Sequence, residues 1–173
     1  MEALFMKYNI NKPYPKIENI QENQQYGRIL LSNLGGLHSE MGAVSLYFYN
    51  HIILKKVWPK LSEAMEKISI VEMYHLDIFA HLIYALGLDP RLWDYQQGYL
   101  QYWSPGYNVY PCQIQSLLEN AIIQEQNTID IYQQQILCIQ DFQIQKIIQR
   151  IIEDEQLHIE IFTYFLNEYL QTY

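Results

Sequence analysis

Two short stretches decide the fold: SIVEMYH, residues 69–75, and IEDEQLH, residues 152–158. Each ends in Glu-x-x-His, Glu72 to His75 in the first and Glu155 to His158 in the second. A three-residue step places a carboxylate and an imidazole on one face of a helix, so each tetrapeptide presents both groups to the same neighbour. A single copy carries little weight, because glutamate is common on helices. The pair gains weight from what precedes it. Glu40 stands ahead of Glu72 and Glu125 ahead of Glu155, with 31 and 29 residues between them. Each lead glutamate is followed seven residues later by a tyrosine, Tyr47 and Tyr132, on nearly the same helix face. The chain reads as one helical hairpin written twice.

Working outward, apolar residues Ile29, Leu30, Leu34, Leu37, Met41, Val44, Phe48 and Ile52 recur mostly at three- and four-residue steps. They predict a first helix from Tyr26 to about Lys56, running through Gly35 and Gly36. Trp58-Pro59 punctuates the chain, and a second helix is expected from Leu61 to about Leu86, closed by Gly87. The next segment, LDPRLWDYQQGYLQYWSPGYNVYP, residues 88–111, is far longer than the ~2 to 8 residues that join neighbouring helices, so it is a crossover. Its aromatic rings are expected to pack over the bundle or a neighbouring subunit. Helix three is expected from about Cys112 to Ile139, and helix four, capped by Asp141, from Phe142 to near Leu170. Strand-like alternation is nowhere sustained. The expected fold class is all-α, a four-helix bundle with a long crossover between helices two and three. It forms a single domain over residues 23–173, preceded by an extended arm over residues 1–22 that carries Pro13 and Pro15.

Bulk composition narrows the function classes. Half of the 173 residues are hydrophobic and 17% are charged, which excludes a disordered chain. A net charge of −8 repels phosphate backbones and anionic lipid surfaces, so neither nucleic acid nor a membrane is an expected partner. No run approaches the ~20 apolar residues of a membrane span, and the amino terminus lacks the pattern of a secretory leader. The only cysteines, Cys112 and Cys138, lie at opposite ends of helix three, about 39 Å apart at ~1.5 Å per residue, and cannot pair within one subunit. They are expected to be packing residues in a reduced cytoplasm.

The repeated spacing also sets a level. Counted from the turns near Trp58 and Gln140, Glu40, Glu72, His75, Glu125, Glu155 and His158 fall within a few Å of one another along the bundle, at ~1.5 Å per residue. Four carboxylates buried in one layer repel each other and lose hydration, so the layer requires cations. Two divalent ions supply four positive charges. An oxygen-rich site with one imidazole per ion suits iron or manganese, whereas zinc favours fewer oxygens and a tetrahedral shell.

These residues resemble those of the ferritin-like dinuclear-metal carboxylate superfamily, in particular its rubrerythrin-like and manganese-catalase-like members. One glutamate from each of two helices and a Glu-x-x-His from each of the other two is the known mark of that class. The resemblance covers about Tyr26 to Leu170 and implies a ferritin-like four-helix bundle. It implies that Glu40, Glu72, His75, Glu125, Glu155 and His158 bind two divalent ions, iron or manganese. Glu72 and Glu155 would bridge the ions, or Glu40 and Glu125 depending on oxidation state. It further implies that Asp154 orients an imidazole, that of His75 across the bundle, and that the hydroxyls of Tyr47 and Tyr132 lie beside the ligands. Two features depart from rubrerythrins: Ile122 and Thr128 stand where a further helix-three carboxylate is usual, and no carboxy-terminal cysteine cluster follows. His38, His51 and His81 are not expected at the site. The activity implied is that of an oxidoreductase on hydrogen peroxide or dioxygen, peroxidase- or catalase-like, in a homo-oligomer, a dimer or larger. The alternatives are a ferroxidase-type iron storage subunit and a scaffold that the metal pair merely ties together.

Overall fold

The computed structural model describes residues 7–172; residues 1–6 of the expected arm, and Tyr173, lie outside the described residues. Residues 7–23 carry no helix or strand. Five α-helices follow: α1 (Gln24–Gly35), α2 (Glu40–Leu54), α3 (Pro59–Ala85), α4 (Ile114–Cys138) and α5 (Phe142–Thr172). The architecture is a ferritin-like helical bundle, with α2 packed on α3 and α4 on α5.

The ends of the helices follow local chemistry. Asn23 accepts the backbone N–H groups of Gln25 and Tyr26, both at 3.1 Å, and so opens α1. Pro59 begins α3, where its missing N–H costs nothing. Gly87, at φ +86°, follows its last turn in the left-handed conformation that ends many helices. Asp141 accepts the N–H groups of Gln143 and Ile144 at 2.9 and 3.0 Å and opens α5.

The single first helix expected from Tyr26 to Lys56 is in fact two. α1 stops at Gly35, Gly36 is fully extended, and Ser39 accepts the Gly42 N–H at 3.3 Å to restart the chain as α2. A Cβ on Gly35 would stand 2.4 Å from the backbone nitrogen of Trp93, so the crossover presses directly on this break. The apolar spacing runs on across it, through Leu34, Leu37 and Met41, which is why periodicity alone did not reveal it.

The crossover also holds a two-stranded antiparallel hairpin that strand alternation did not announce. β1 (Trp93–Gln96) pairs with β2 (Tyr99–Tyr102), Trp93 opposite Tyr102, about a turn in which Gln97 and Gly98 both have positive φ. Each strand is only four residues long, too short to show a period, and β2 is exposed along its whole length. Trp93 and Leu92 pack on the bundle core, whereas Tyr99 is 75% exposed. Cys112 and Cys138 are exposed, not packed, because Cys112 precedes α4 and Cys138, its last residue, falls outside its apolar stripe.

Two apolar clusters fill the bundle. One gathers Leu30, Leu34, Phe79, Leu82, Ile147 and Ile151, and the other Leu46, Leu61, Met65, Ile68, Leu118 and Phe162. On α3, α4 and α5, Glu72, Glu125 and Glu155 fall between the residues of the first cluster and those of the second. A polar layer is thus sealed between two dry ones.

Candidate metal centre

Glu40 on α2, Glu72 and His75 on α3, Glu125 on α4, and Glu155 and His158 on α5 meet in that layer, none more than 2% exposed. Glu40 is the first residue of α2, so the break in the first helix places its carboxylate at a helix N-terminus, where negative charge is favoured. The six residues form two overlapping quartets, Glu40, Glu72, His75 and Glu155, and Glu72, Glu125, Glu155 and His158. Within each quartet the potential ligand atoms lie within 4.8 Å of one another.

Glu72 and Glu155 belong to both quartets. Nδ1 of His75 lies 3.1 Å from Oε2 of Glu72 and 3.0 Å from Oε1 of Glu155. Nδ1 of His158 lies 2.9 Å from Oε1 of Glu72 and 3.0 Å from Oε2 of Glu155. Each shared carboxylate therefore turns one oxygen to each imidazole. Glu40 approaches only His75, at 3.7 Å, and Glu125 only His158, at 3.8 Å.

The outer nitrogens fix the imidazoles from behind. Nε2 of His75 lies 3.2 Å from Oδ2 of Asp154, and Nε2 of His158 lies 2.9 Å from the carbonyl oxygen of Tyr8. A carboxylate and a carbonyl only accept, so each Nε2 carries a proton and each Nδ1 presents either a lone pair or a second proton to the layer. One such proton points at one oxygen, yet each Nδ1 has two carboxylate oxygens near 3 Å. Oε1 of Glu72 and Oε1 of Glu155 are wholly buried and accept no well-aligned hydrogen bond. A cation in each quartet would meet three carboxylates and one imidazole at once, an oxygen-rich donor set that fits iron or manganese.

Electrostatics of the protein alone point the same way. Burial, with Glu155 nearby, raises the Glu40 pKa well above the usual carboxylate range, and burial with Glu72 nearby does the same to Glu125. Burial pushes Glu72 up too, but the imidazoles of His158 and His75 outweigh it and hold Glu72 below the usual range. Burial opposes charge on the two histidines, yet Glu155 beside His75 and Glu72 beside His158 carry both well above the ordinary imidazole value. Protons thus take the place of cations when no cation is bound.

Tyr47 on α2 donates its hydroxyl to Oε1 of Glu125, and Tyr132 on α4 donates to Oε1 of Glu40. Both phenols are fully buried, and burial, reinforced by the facing glutamate, raises their pKa well above 10.0. They remain donors.

Behind His75, around the Asp154 that the resemblance named, lie Ile10, Tyr14 and Arg150, which the spacing pattern did not reach. Asp154 accepts the Ile10 N–H at 2.7 Å and the Tyr14 hydroxyl at 2.6 Å, and pairs with Nη1 of Arg150 at 2.9 Å. Burial pushes the Asp154 carboxyl up, but His75, Tyr14, the Ile10 N–H and Arg150 together bring its pKa to about 2. The i, i+4 spacing of Arg150 and Asp154 was a local signal for their pairing. Tyr14, between Pro13 and Pro15, offered none. In the repeat, Val71 occupies the place before Glu72 that Asp154 occupies before Glu155, so the two halves differ here. His38, His51 and His81 lie apart, bonded to Gln124, Ser62 and Asp77.

Similarity to known proteins follows this geometry. KatB, a manganese catalase from Anabaena, superposes with a TM-score of 0.82 at 19% identity, over 94% of this chain and 80% of that one. The bacterioferritin of Desulfovibrio desulfuricans, solved with its diiron site in different catalytic states, gives 0.70 at 24% identity, over 86% of this chain and 84% of that one. The bacterioferritin of Rhodobacter capsulatus gives 0.72 at 21% identity, over 88% and 89%. No curated protein matches the sequence. The ferritin-like domain family matches residues 36–171, which takes in all four helices of the acidic layer, and the chain belongs to that family.

Proposed function

We propose that the buried layer binds two divalent ions, manganese or iron, and that the protein is an oxidoreductase acting on hydrogen peroxide or dioxygen, peroxidase- or catalase-like. The observation that carries this reading is the sharing of Glu72 and Glu155 between both imidazoles. Glu40, Glu72, His75 and Glu155 would hold one ion, and Glu72, Glu125, Glu155 and His158 the other, with Glu72 and Glu155 common to both. When bound, such a pair supplies two electrons from adjacent centres, the number consumed in reducing one hydrogen peroxide, with two protons, to two waters.

The chain's own residues prepare that chemistry. Asp154 and the Tyr8 carbonyl hold the Nε2 protons outward and leave the Nδ1 lone pairs for the ions. Tyr132 fixes Oε1 of Glu40 and leaves Oε2 facing His75, whereas Tyr47 fixes Oε1 of Glu125, the oxygen that also lies 3.8 Å from Nδ1 of His158. The apolar clusters on either side exclude bulk water, which strengthens every charge interaction in the layer.

The likeness to a manganese catalase over 94% of the chain supports peroxide chemistry, and the likeness to bacterioferritins supports ferroxidase-type iron storage or sequestration as the second reading. Elemental analysis of protein purified without added metal, followed by peroxide and ferrous-iron assays, separates them. About two ions per chain with oxygen evolution from peroxide supports the first, and many iron atoms per chain the second. Less than one ion after anaerobic reconstitution defeats both. No described helix is long and apolar enough to cross a membrane. The reading extends to a homo-oligomer, supported by the exposed Phe48, Ile52, Met73 and Tyr74 on α2 and α3 and testable by light scattering. It places the protein in the cytoplasm, consistent with two unpaired cysteines.

A further inference from the structure

We infer that the amino-terminal arm is a strap holding the outer nitrogens of both metal-site imidazoles, with Tyr14 a positioning residue for His75, so that arm docking and metal retention are coupled. The inference rests on the two-ion reading of the acidic layer.

Arg150 carries the strap. Its guanidinium is 2% exposed, yet three of its contacts are to the arm: Nε donates to the Lys12 carbonyl at 3.0 Å, Nη2 donates to the Ile10 carbonyl at 2.8 Å, and the Tyr14 ring lies 4.5 Å from Cζ. Its remaining nitrogen meets Asp154. A buried guanidinium left without those carbonyls would lose its hydrogen bonds and keep its desolvation cost, so the docked arm and the buried arginine require each other.

The arm then reaches the site at two points. Tyr14 donates to the same Asp154 oxygen that faces His75, and its hydroxyl oxygen lies 3.3 Å from Nε2 of His75. The Tyr8 carbonyl faces Nε2 of His158. The first attachment runs through a side chain and a carboxylate, the second through backbone alone. A change at Tyr14 therefore acts on the ion held by His75 and spares the one held by His158. Conversely, an ion pulling on Nδ1 of either imidazole polarises its Nε2–H and tightens the outer hydrogen bond, so metal binding holds the arm down.

The test uses the full chain loaded with Mn²⁺ and challenged with excess EDTA, with released manganese and hydrogen exchange at the Ile10 amide both followed. In Tyr14→Phe, one ion per chain is expected to leave about tenfold faster, the scale typical for losing an outer partner of a ligand. The second ion should leave at the wild-type rate, and the metal-free thermal midpoint should fall by no more than the few degrees that losing one hydrogen bond costs. In the wild type, the Ile10 amide should exchange at least several-fold more slowly with manganese than with EDTA. Equal acceleration of both ions, no acceleration of either, or metal-independent exchange at Ile10 would overturn the strap while two retained ions left the metal centre standing. A wild-type chain that retains neither manganese nor iron would overturn both.

Discussion

Tyr47 donates its hydroxyl to Glu125, the lead glutamate of the opposite hairpin and not of its own. Tyr132 returns the arrangement to Glu40. The seven-residue spacing on α2 and α4 has a geometric meaning in this crossing, since two helices running in opposite directions bring each tyrosine level with the other helix's glutamate. Replacing Tyr47 by Phe leaves a buried carboxylate oxygen without its donor, at a cost of about 1–3 kcal/mol in metal-free stability. Manganese affinity should fall by about 10- to 100-fold. Tyr132→Phe should match it within about a factor of three. Urea denaturation and manganese titration check both, and a neutral result for either would break the reciprocal reading.

Shared and unshared glutamates should behave differently when neutralised. Glu72→Gln or Glu155→Gln removes a charge from both quartets and is expected to abolish retention of both ions. Glu40→Gln and Glu125→Gln each touch one quartet and should leave about one ion per chain. Elemental analysis after anaerobic reconstitution decides the matter; equal losses in all four variants would sink the assignment of Glu72 and Glu155 as the common pair.

Proton linkage gives a pH signature for the metal-free protein. Glu40 and Glu125 have folded pKa values raised above 4.5, so the stability each contributes fades as pH climbs from 4.5 through the folded value. His75 and His158 are raised above 6.5, and their contribution is complete below 6.5 and lost as pH rises through the folded values. Glu72 and Asp154 are lowered and act oppositely, losing their contribution as pH falls below their ordinary values of 4.5 and 3.8. The EDTA-treated protein should therefore weaken from pH 5 to pH 8. With manganese the ions replace those protons, and the gap between loaded and metal-free stability should widen with pH. Urea midpoints at four pH values in EDTA and in Mn²⁺ test this, and a metal-free midpoint that climbs over that range contradicts it.

Of the glycines, Gly35 leaves the least room for a side chain. Alanine there would place Cβ 2.4 Å from the Trp93 nitrogen and 2.7 Å from the Leu92 carbonyl carbon, both backbone atoms that cannot swing aside. Gly35→Ala should cost about 1–3 kcal/mol or more by overpacking. Gly27→Ala meets side chains only, with Leu88 Cδ1 at 2.7 Å and Cγ at 3.1 Å, and should cost markedly less. Denaturant unfolding of the two variants side by side gives the comparison, and equal costs would show that the hairpin yields.

Much of the acidic layer was legible because its pattern is local: Glu-x-x-His is a property of four consecutive residues, and its repetition survives any detail of packing. The level argument from turn positions needed only helical rise. What escaped depended on distant contacts. The break at Gly36 is set partly by Trp93, which presses on Gly35 from the crossover, and apolar spacing carries no trace of that. The hairpin is held by a two-residue turn and cross-strand aromatics, such as Trp93 against Tyr102, with too few residues for alternation. Tyr14 and the Tyr8 carbonyl belong to a segment with no period at all, and their partners lie on helices encoded at the far end of the chain.

That separation bears on the order in which the molecule assembles. The Ile10 to Asp154 hydrogen bond closes a span of 144 residues and the Tyr8 to His158 bond one of 150, whereas α2 and α3, or α4 and α5, are chain neighbours. Loop closure over such lengths is entropically unfavourable until both hairpins are in place. The arm is therefore expected to settle last, once α5 has supplied Asp154 and Arg150. In pulse-labelled exchange during refolding, the Ile10 amide should gain protection after the amides of α3 and α5; protection of Ile10 at the earliest times would reverse that order. A chain still lacking α5 would have only its first hairpin complete and its beginning untethered, leaving His75 without the Asp154 carboxylate that sets its tautomer.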